Sequence, residues 1–272
     1  MNLSLRRFAL LGRSFPSAVN LNVASSVPLE AQTFFKRQMS SSSLVDPEFA
    51  RVLCEADAYC FDVDSTVISE EGIDELASYL GKDVVEKVAA ITKTAMEGDM
   101  PFQDALSARL GIMKPSEGVL RDFLGSHPPP LTPGMSDVVD RLRMRNVAIY
   151  LVSGGFVQMI GPVAAMLGIP SKNIYANEIL FDEETGDYAG FNPEAFTSRA
   201  GGKTEAIKYL KETFGHKNVI MVGDGGTDYE ARRDGAADGF IGYGGVATRD
   251  VVKQNADWFI YDWKELLGVL EQ

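Results

Sequence analysis

Five polar side chains carry the chemistry that this sequence predicts. Asp62 and Asp64 come at the end of one apolar run, Ser153 follows a second, Asp224 follows a third, and Lys203 comes after a pair of glycines. Neighbouring carboxylates repel each other and therefore call for a cation, and hard oxygen ligands favour Mg²⁺. A serine hydroxyl beside backbone N–H groups suits an anion, and a lysine adds positive charge. Together these groups predict metal-assisted phosphoryl transfer.

Two carboxylates two residues apart can divide the work of such a reaction. One would attack phosphorus and form an aspartyl-phosphate, and the other would act first as a general acid and then as a general base. Mg²⁺ would allow an anionic nucleophile to approach an anionic phosphate. Taken singly, Asp224 fits a turn, Ser153 fits a helix cap and Lys203 fits a solvated surface position. Their occurrence together, each after a predicted strand, favours a site.

The elements that must position these residues alternate between strands and helices. Short apolar runs at 59–63, 148–152 and 219–222 predict buried strands, and helical patterns separate them. Two apolar-containing arms around Thr185-Gly186 predict a β-hairpin. The alternation indicates an α/β fold with a doubly wound parallel sheet and helices on both of its faces. In such sheets ligands bind at the carboxyl ends of the strands, where the polar turns would meet.

A block with helical periodicity alone interrupts this alternation after the first strand. It covers about residues 75–130 and closes with the proline-rich stretch at 127–134. The block is long enough to form a small domain inserted over the sheet. Residues 46–74 and 131–272 then remain for the α/β core.

The first 45 residues differ in composition from the rest of the chain. Residues 1–45 contain five basic side chains, one acid and nine serines. Such a segment is typical of an organelle transit peptide, with a disordered leader as the alternative. A plastid is favoured over a mitochondrion as the destination, although the sequence does not decide between them.

Composition excludes several classes of function. The net charge of −12 argues against a nucleic-acid partner, which needs basic surface. No apolar stretch is long enough to span a membrane, so a soluble protein is expected. Two cysteines and two histidines do not form a cluster with zinc spacing. A small molecule is therefore the expected partner, and a homodimer stays open.

Four separated motifs resemble the haloacid dehalogenase-like phosphohydrolases over about residues 55–270. They are, in order along the chain, DVDST, LVSGG, Lys203 and GDGGTD. The resemblance implies a Rossmann-type core with a helical cap, in which Asp62 is the nucleophile and Asp64 the proton donor. It also implies that Mg²⁺ is held by the Asp62 side chain, the Asp64 backbone carbonyl and Asp224, with Asp228 nearby. The residues that it assigns to the phosphoryl group are Ser153, Gly154, Lys203 and Thr227.

Longer segments resemble the members of this family that hydrolyse O-phospho-L-serine, in the last step of L-serine biosynthesis. FDVDSTVISEEGIDELA and AMEGDMPFQDALSARL carry this closer likeness. It implies that Glu71 meets the substrate ammonium and that Arg109 pairs with the carboxylate, for which a guanidinium fork is well suited. It further implies that Met96 and Phe102 line the cap side of the substrate site and that Asn177 and Arg249 lie near the site. Glu97 is a departure, because some members have glycine there.

Two other functions fit parts of the pattern. One is a related phosphatase or phosphotransferase with a different small substrate. The other is a receiver-like signalling module, which also places an aspartate after a strand, but needs neither a general acid at Asp64 nor a helical cap. A transport ATPase also forms an aspartyl-phosphate, but it would need membrane spans.

Overall fold

The computed structural model describes residues 45–96 and 100–272, except for the side chain of Met96. The helices are α1 Pro47–Cys54, α2 Gly72–Leu80, α3 Lys82–Met96, α4 Phe102–Met113, α5 Glu117–Ser126, α6 Met135–Met144, α7 Val157–Met166, α8 Gly202–Phe214, α9 Gly226–Arg233, α10 Asp250–Asn255 and α11 Trp263–Leu270. The strands are β1 Ala58–Phe61, β2 Ala148–Phe156, β3 Ile174–Asn177, β4 Ile179–Phe181, β5 Tyr188–Phe191, β6 Val219–Gly223, β7 Gly239–Tyr243 and β8 Trp258–Ile260. The predicted leader, apart from Val45, and Glu97 lie outside the described residues.

The main sheet has six parallel strands in the order β3-β2-β1-β6-β7-β8. The chain therefore winds outward from β1 in one direction and then returns to β6 to continue in the other. This topology confirms the predicted doubly wound α/β fold. Because the direction of winding reverses between β1 and β6, the crevice at their carboxyl ends is the place where such sheets bind ligands.

The sheet is buried on both faces, which explains why its strands read as continuous apolar runs rather than as alternating ones. All four residues of β1 and all five of β6 are buried. Strand β2 is longer than predicted, since the prediction ended it at Val152 and the structure continues it to Phe156. The extension arises because the register against β3 shifts after Val152, and Phe156 then pairs with Asn177.

Helices α2 to α5 lie between β1 and β2 in the chain and share an apolar cluster that includes Leu76, Leu106 and Phe123. The predicted hairpin around Gly186 is present as the antiparallel pair β4–β5. Its apolar side chains join the same cluster, and Gly186 O accepts a hydrogen bond of 2.9 Å from Glu117 N. The hairpin therefore fastens the α4–α5 end of the helical block to the rest of the fold.

Two short linkers join the helical block to the sheet and pair with each other. Ile68 and Leu131 form an antiparallel bridge between them. The Thr132 hydroxyl donates to Thr66 O over 2.8 Å and accepts from Trp263 Nε1 over 2.8 Å. This chain of contacts ties the turn after β1 to the last helix of the core. None of the helices within the described ranges has the length and apolar character of a membrane span.

Candidate active site

The turn after β1 places two aspartates at the carboxyl edge of the sheet. Asp62 follows the last residue of β1, and its Oδ1 accepts a hydrogen bond of 2.8 Å from Val63 N. A five-residue turn comes next, closed by a bond of 3.0 Å from Ile68 N to Val63 O. Ser65 within this turn has φ of 54°, in the left-handed region that residues other than glycine rarely adopt. The turn brings Asp64 back beside Asp62.

Lys203 is buried at the start of α8, and it does not occupy the surface position that its sequence context alone would favour. Its Nζ lies 2.9 Å from Asp62 Oδ1 and 2.6 Å from Asp228 Oδ1. Burial alone would lower the pKa of this lysine, but Asp228 and Asp62 outweigh that effect, and the pKa is raised. Lys203 is therefore a permanent cation between Asp62 and Asp228.

Three buried carboxylates, from Asp62, Asp224 and Asp228, each present an oxygen atom within 4.8 Å of the others. Burial, followed by repulsion from Asp62, raises the pKa of Asp224 to about 6. The Asp224 Oδ2 atom is buried and accepts no hydrogen bond from the described residues, although Arg249 Nη1 lies 2.8 Å away. Asp228 is more fully engaged, because its Oδ2 also accepts a bond of 2.9 Å from Gly225 N. Three buried carboxylate oxygens this close together form an all-oxygen donor set that fits a hard divalent cation.

Asp64 retains some solvent contact, but protein atoms surround most of its carboxyl group. Its Oδ1 accepts a hydrogen bond of 2.8 Å from Gly72 N, the first residue of α2. Burial, followed by repulsion from Asp62, raises the pKa of Asp64 to about 7. A carboxyl group with such a pKa can hold a proton near neutral pH and give it up again, as a general acid and base must.

The turn after β2 brings Ser153 close to Asp64. A Cβ atom at Gly155 would lie 3.0 Å from Asp64 Oδ2 and 3.3 Å from Ser153 Oγ, so glycine permits this approach. Ser153 Oγ accepts a hydrogen bond of 3.0 Å from Gly155 N. It is not a helix cap, because α7 begins after Phe156.

The backbone of Gly154 is held by a hydrogen bond from Asn177 and is covered by Phe102 of the helical block. Asn177 Nδ2 donates to Gly154 O over 2.7 Å, and Asn177 Oδ1 accepts from Thr197 Oγ1 over 3.2 Å. From the helical block, Phe102 reaches within 3.7 Å of the point where a Cβ of Gly154 would lie. The site is therefore bounded by the sheet edge on one side and by α4 on the other.

Glu71 is connected to the carboxylate cluster of Asp62, Asp224 and Asp228 through an arginine. Its Oε1 accepts a hydrogen bond of 2.7 Å from Ser65 Oγ and lies 3.5 Å from Arg249 Nη2. The same guanidinium contacts Asp224 through Nη1. Arg249 thus bridges Glu71 and Asp224.

Arg109 lies on α4 within electrostatic reach of the site. Burial lowers the pKa of its guanidinium, and the nearby acids Asp74, Glu71 and Asp64 oppose this shift. Its Nε donates to Ala105 O over 3.4 Å, which occupies one of five N–H donors.

Two further predicted residues are less closely engaged. Thr227 is exposed on the first turn of α9, and its Oγ1 lies 3.7 Å from the point where a Cβ of Gly225 would lie. Met96 ends α3, and its side chain lies outside the described residues.

Two residues that the sequence did not single out support the site. Ser65 holds Glu71, and Thr132 holds the turn after β1. The only signal for Ser65 was its place inside the DVDST motif, and Thr132 had none.

Residues 56–235 match the family model for haloacid dehalogenase-like hydrolases. A solved structure, a phospho-aspartyl intermediate analogue of phosphoserine phosphatase, has a TM-score of 0.63 at 26% identity, and the match covers 78% of this chain and 98% of that one. The sheet topology, the aspartate after β1 and these matches define a hydrolase of the haloacid dehalogenase-like class.

Curated relatives narrow this class. The phosphoserine phosphatase of Mus musculus is 49% identical over 225 residues, which cover 83% of this chain and 98% of the mouse protein. The chloroplastic phosphoserine phosphatase of Arabidopsis thaliana is 42% identical over 273 residues, covering 99% of this chain and 90% of the plant protein. The chain therefore belongs to the haloacid dehalogenase-like hydrolases and, within them, to the phosphoserine phosphatase family. This membership sets aside the receiver-like alternative.

Proposed function

We propose that the protein hydrolyses O-phospho-L-serine to L-serine and phosphate, the last step of L-serine biosynthesis, with Asp62 as its nucleophile. The observation that carries the assignment of the nucleophile is the environment of its carboxylate. Lys203 and Val63 N both contact Oδ1, and among the described residues no hydrogen bond reaches Oδ2. A carboxylate oxygen that is free beside a buried cation is suited to attack an anionic phosphate.

The first step forms a bond between Asp62 Oδ2 and phosphorus as the bond from phosphorus to the serine oxygen breaks. Asp64 gives its proton to that oxygen, and L-serine leaves. In the second step Asp64 takes a proton from a water molecule whose oxygen attacks phosphorus. The bond to Asp62 breaks, phosphate leaves, and both carboxyl groups return to their starting states. The raised pKa of Asp64 supports this double role.

The transferred phosphoryl group would lie between the turn after β2 and the start of α8. Ser153, the backbone of Gly154, Lys203 and Thr227 are the proposed partners of its oxygens. Asn177 supports this arrangement, because its bond to Gly154 O fixes the turn that presents the Gly154 backbone. Donors held rigidly before the substrate arrives stabilise the developing charge without reorganising.

Asp62 and Asp224 are the proposed side-chain ligands for Mg²⁺, together with the Asp64 carbonyl. The close approach of the buried Asp62 and Asp224 carboxylates supports this choice. Both Asp228 oxygens are already engaged, by Lys203 and by Gly225 N, which supports an indirect role for Asp228. When bound, the ion would offset the repulsion among these carboxylates and neutralise charge on the phosphoryl oxygens.

Binding of Mg²⁺ is expected to raise the melting temperature of the metal-free protein, because the ion binds the folded carboxylate cluster and not the unfolded chain. The rise should follow a saturation curve in a thermal-shift titration. The Asp224→Asn variant is the control, and its melting temperature should respond far less. An equal response in both proteins would contradict the proposed ligand set.

Glu71 and Arg109 are proposed to select an amino acid phosphate. Replacing Glu71 by Gln or Arg109 by Met should raise KM for O-phospho-L-serine roughly 10- to 100-fold, the loss expected for one hydrogen bond to a charged group. The KM for p-nitrophenyl phosphate, which has neither ammonium nor carboxylate, should rise much less. Steady-state kinetics with both substrates measures this difference, and parallel losses on both would count against the assignment.

Residues 75–130 are proposed to act as a cap over a core formed by 46–74 and 131–272. The approach of Phe102 to Gly154 supports this division, because it lets the helical block cover the phosphoryl site. A cover over the site would exclude bulk water during the first step.

Residues 1–45 are proposed to be a plastid transit peptide. The chloroplastic relative supports this, because its match extends over 99% of this chain. A fluorescent protein fused behind residues 1–45 should enter plastids in plant cells, and accumulation in mitochondria would contradict the proposal.

The homodimer stays a prediction.

A further inference from the structure

Ser65 occupies a position that a serine fits poorly. It is buried in the turn after β1, and its φ of 54° lies in the left-handed region. Glycine adopts this conformation freely, whereas a side chain is strained by it. A buried polar side chain in a strained conformation needs a compensating hydrogen bond.

The hydroxyl of Ser65 makes that contact with Glu71. Its Oγ donates a hydrogen bond of 2.7 Å to Glu71 Oε1, and its own N–H donates to Glu70 O over 3.1 Å. The next pair along the chain repeats the pattern, since Asp64 Oδ1 accepts from Gly72 N. Asp64 and Ser65, in the turn after β1, thus hold Gly72 and Glu71 at the start of α2.

Glu71 needs such support because its side chain is 43% exposed. A half-exposed glutamate samples several rotamers, and ordering it costs side-chain entropy. Arg249 also reaches Oε1, but at 3.5 Å this contact is much longer than the serine bond. Both contacts fall on Oε1, which leaves Oε2 for a ligand.

We infer that Ser65 is a positioning residue that makes the site selective for phosphate esters bearing an ammonium group, by fixing the Glu71 carboxylate. This inference rests on the proposed function, in which Glu71 binds the substrate ammonium. The hydroxyl itself does not contact the substrate. It acts through Glu71, and its presence explains why serine occupies a turn position that suits glycine.

The first test compares Ser65→Gly and Ser65→Ala with the native enzyme. Both variants should raise KM for O-phospho-L-serine by roughly fivefold, the effect of one hydrogen bond, with a smaller change in kcat. The change in KM for p-nitrophenyl phosphate should be distinctly smaller. Asn146→Gly is the matched control, because Asn146 has φ of 57° in a turn remote from the site. It should leave both KM values unchanged, and an effect seen in Ser65→Gly but not in Ser65→Ala would assign the loss to backbone freedom and overturn the inference.

The second test places Ser65→Gly in the Glu71→Gln background. If the serine acts through Glu71, the KM of the double variant should equal that of Glu71→Gln alone. A full further rise would mean that Ser65 contacts the substrate directly and would overturn the positioning role. If Glu71→Gln raises KM and Ser65→Gly does not, this inference fails while the proposed function stands. If Glu71→Gln leaves KM unchanged, the assignment of Glu71 fails, and the inference fails with it.

Discussion

Replacing Asp62 by asparagine is expected to lower kcat for O-phospho-L-serine by about 10⁴-fold or more, as removal of a covalent nucleophile does in other enzymes. An amide oxygen is a far weaker nucleophile than a carboxylate oxygen. The variant should remain folded, because Lys203 keeps its contact of 2.6 Å with Asp228. Removing one negative charge from the carboxylate cluster also reduces repulsion there. Single-turnover kinetics and thermal unfolding of the same preparation would measure both effects.

The chain offers a matched control at the opposite end of the same strand. Asp57 precedes β1, and its Oδ2 accepts hydrogen bonds from Lys217 N and Asn218 N over 2.7 and 2.9 Å. Asp57→Asn makes the same chemical change far from the proposed chemistry, so kcat should stay close to that of the native enzyme. Substantial turnover by Asp62→Asn, or an equal loss in Asp57→Asn, would contradict the role of Asp62.

The Lys203→Met variant is expected to lose about 3–5 kcal/mol of unfolding free energy, the cost of breaking a buried ion pair by removing one partner. Lys203 is the cation that contacts both Asp62 and Asp228, and Asp228 is fully buried. Activity should be lost as well, because the proposed phosphoryl contact disappears. Urea unfolding of the native and variant proteins measures the difference.

The loss of unfolding free energy in Lys203→Met should depend on pH in a defined direction. Without the lysine, burial raises the pKa of Asp228 still further above that of the unfolded chain. A group whose folded pKa is raised stabilises the protein when protonated, and this contribution is lost as the pH rises. The deficit of Lys203→Met should therefore be larger at about pH 8 than at about pH 5. Adding Asp228→Asn to Lys203→Met should restore part of the stability. If Lys203→Met alone were as stable as the native protein, the buried ion pair would not contribute the stability assigned to it.

The location of the site could be predicted from the sequence because it depends on topology. Asp62, Ser153 and Asp224 each follow an apolar run, and parallel strands bring their carboxyl ends to one edge. The alternation of strands and helices is enough to place these residues at that edge, without any detail of side-chain packing. The burial of Lys203 was not predictable in this way, since its segment alone reads as the start of an ordinary helix.

Contacts between distant parts of the chain could not be predicted, because no periodicity encodes them. The bond from Trp263 to Thr132 joins residues that are 131 positions apart. The bridge from Arg249 to Asp224 and Glu71 likewise depends on how the loop after β7 folds back. The Ser65–Glu71 bond is local, but it depends on the left-handed conformation of Ser65, and a serine in the sequence does not indicate that conformation.

In the proposed mechanism Asp62 carries the phosphoryl group and Asp64 moves the proton in both steps. The Asp64→Asn enzyme with p-nitrophenyl phosphate tests it most directly. This leaving group needs no general acid, so the first step should proceed, while the second step, lacking its base, should stall. We expect a burst of one p-nitrophenolate per active site, with the phosphoryl group recovered on the peptide that contains Asp62. A linear time course at the native rate without a burst, or a phosphoryl group on any other peptide, would contradict it.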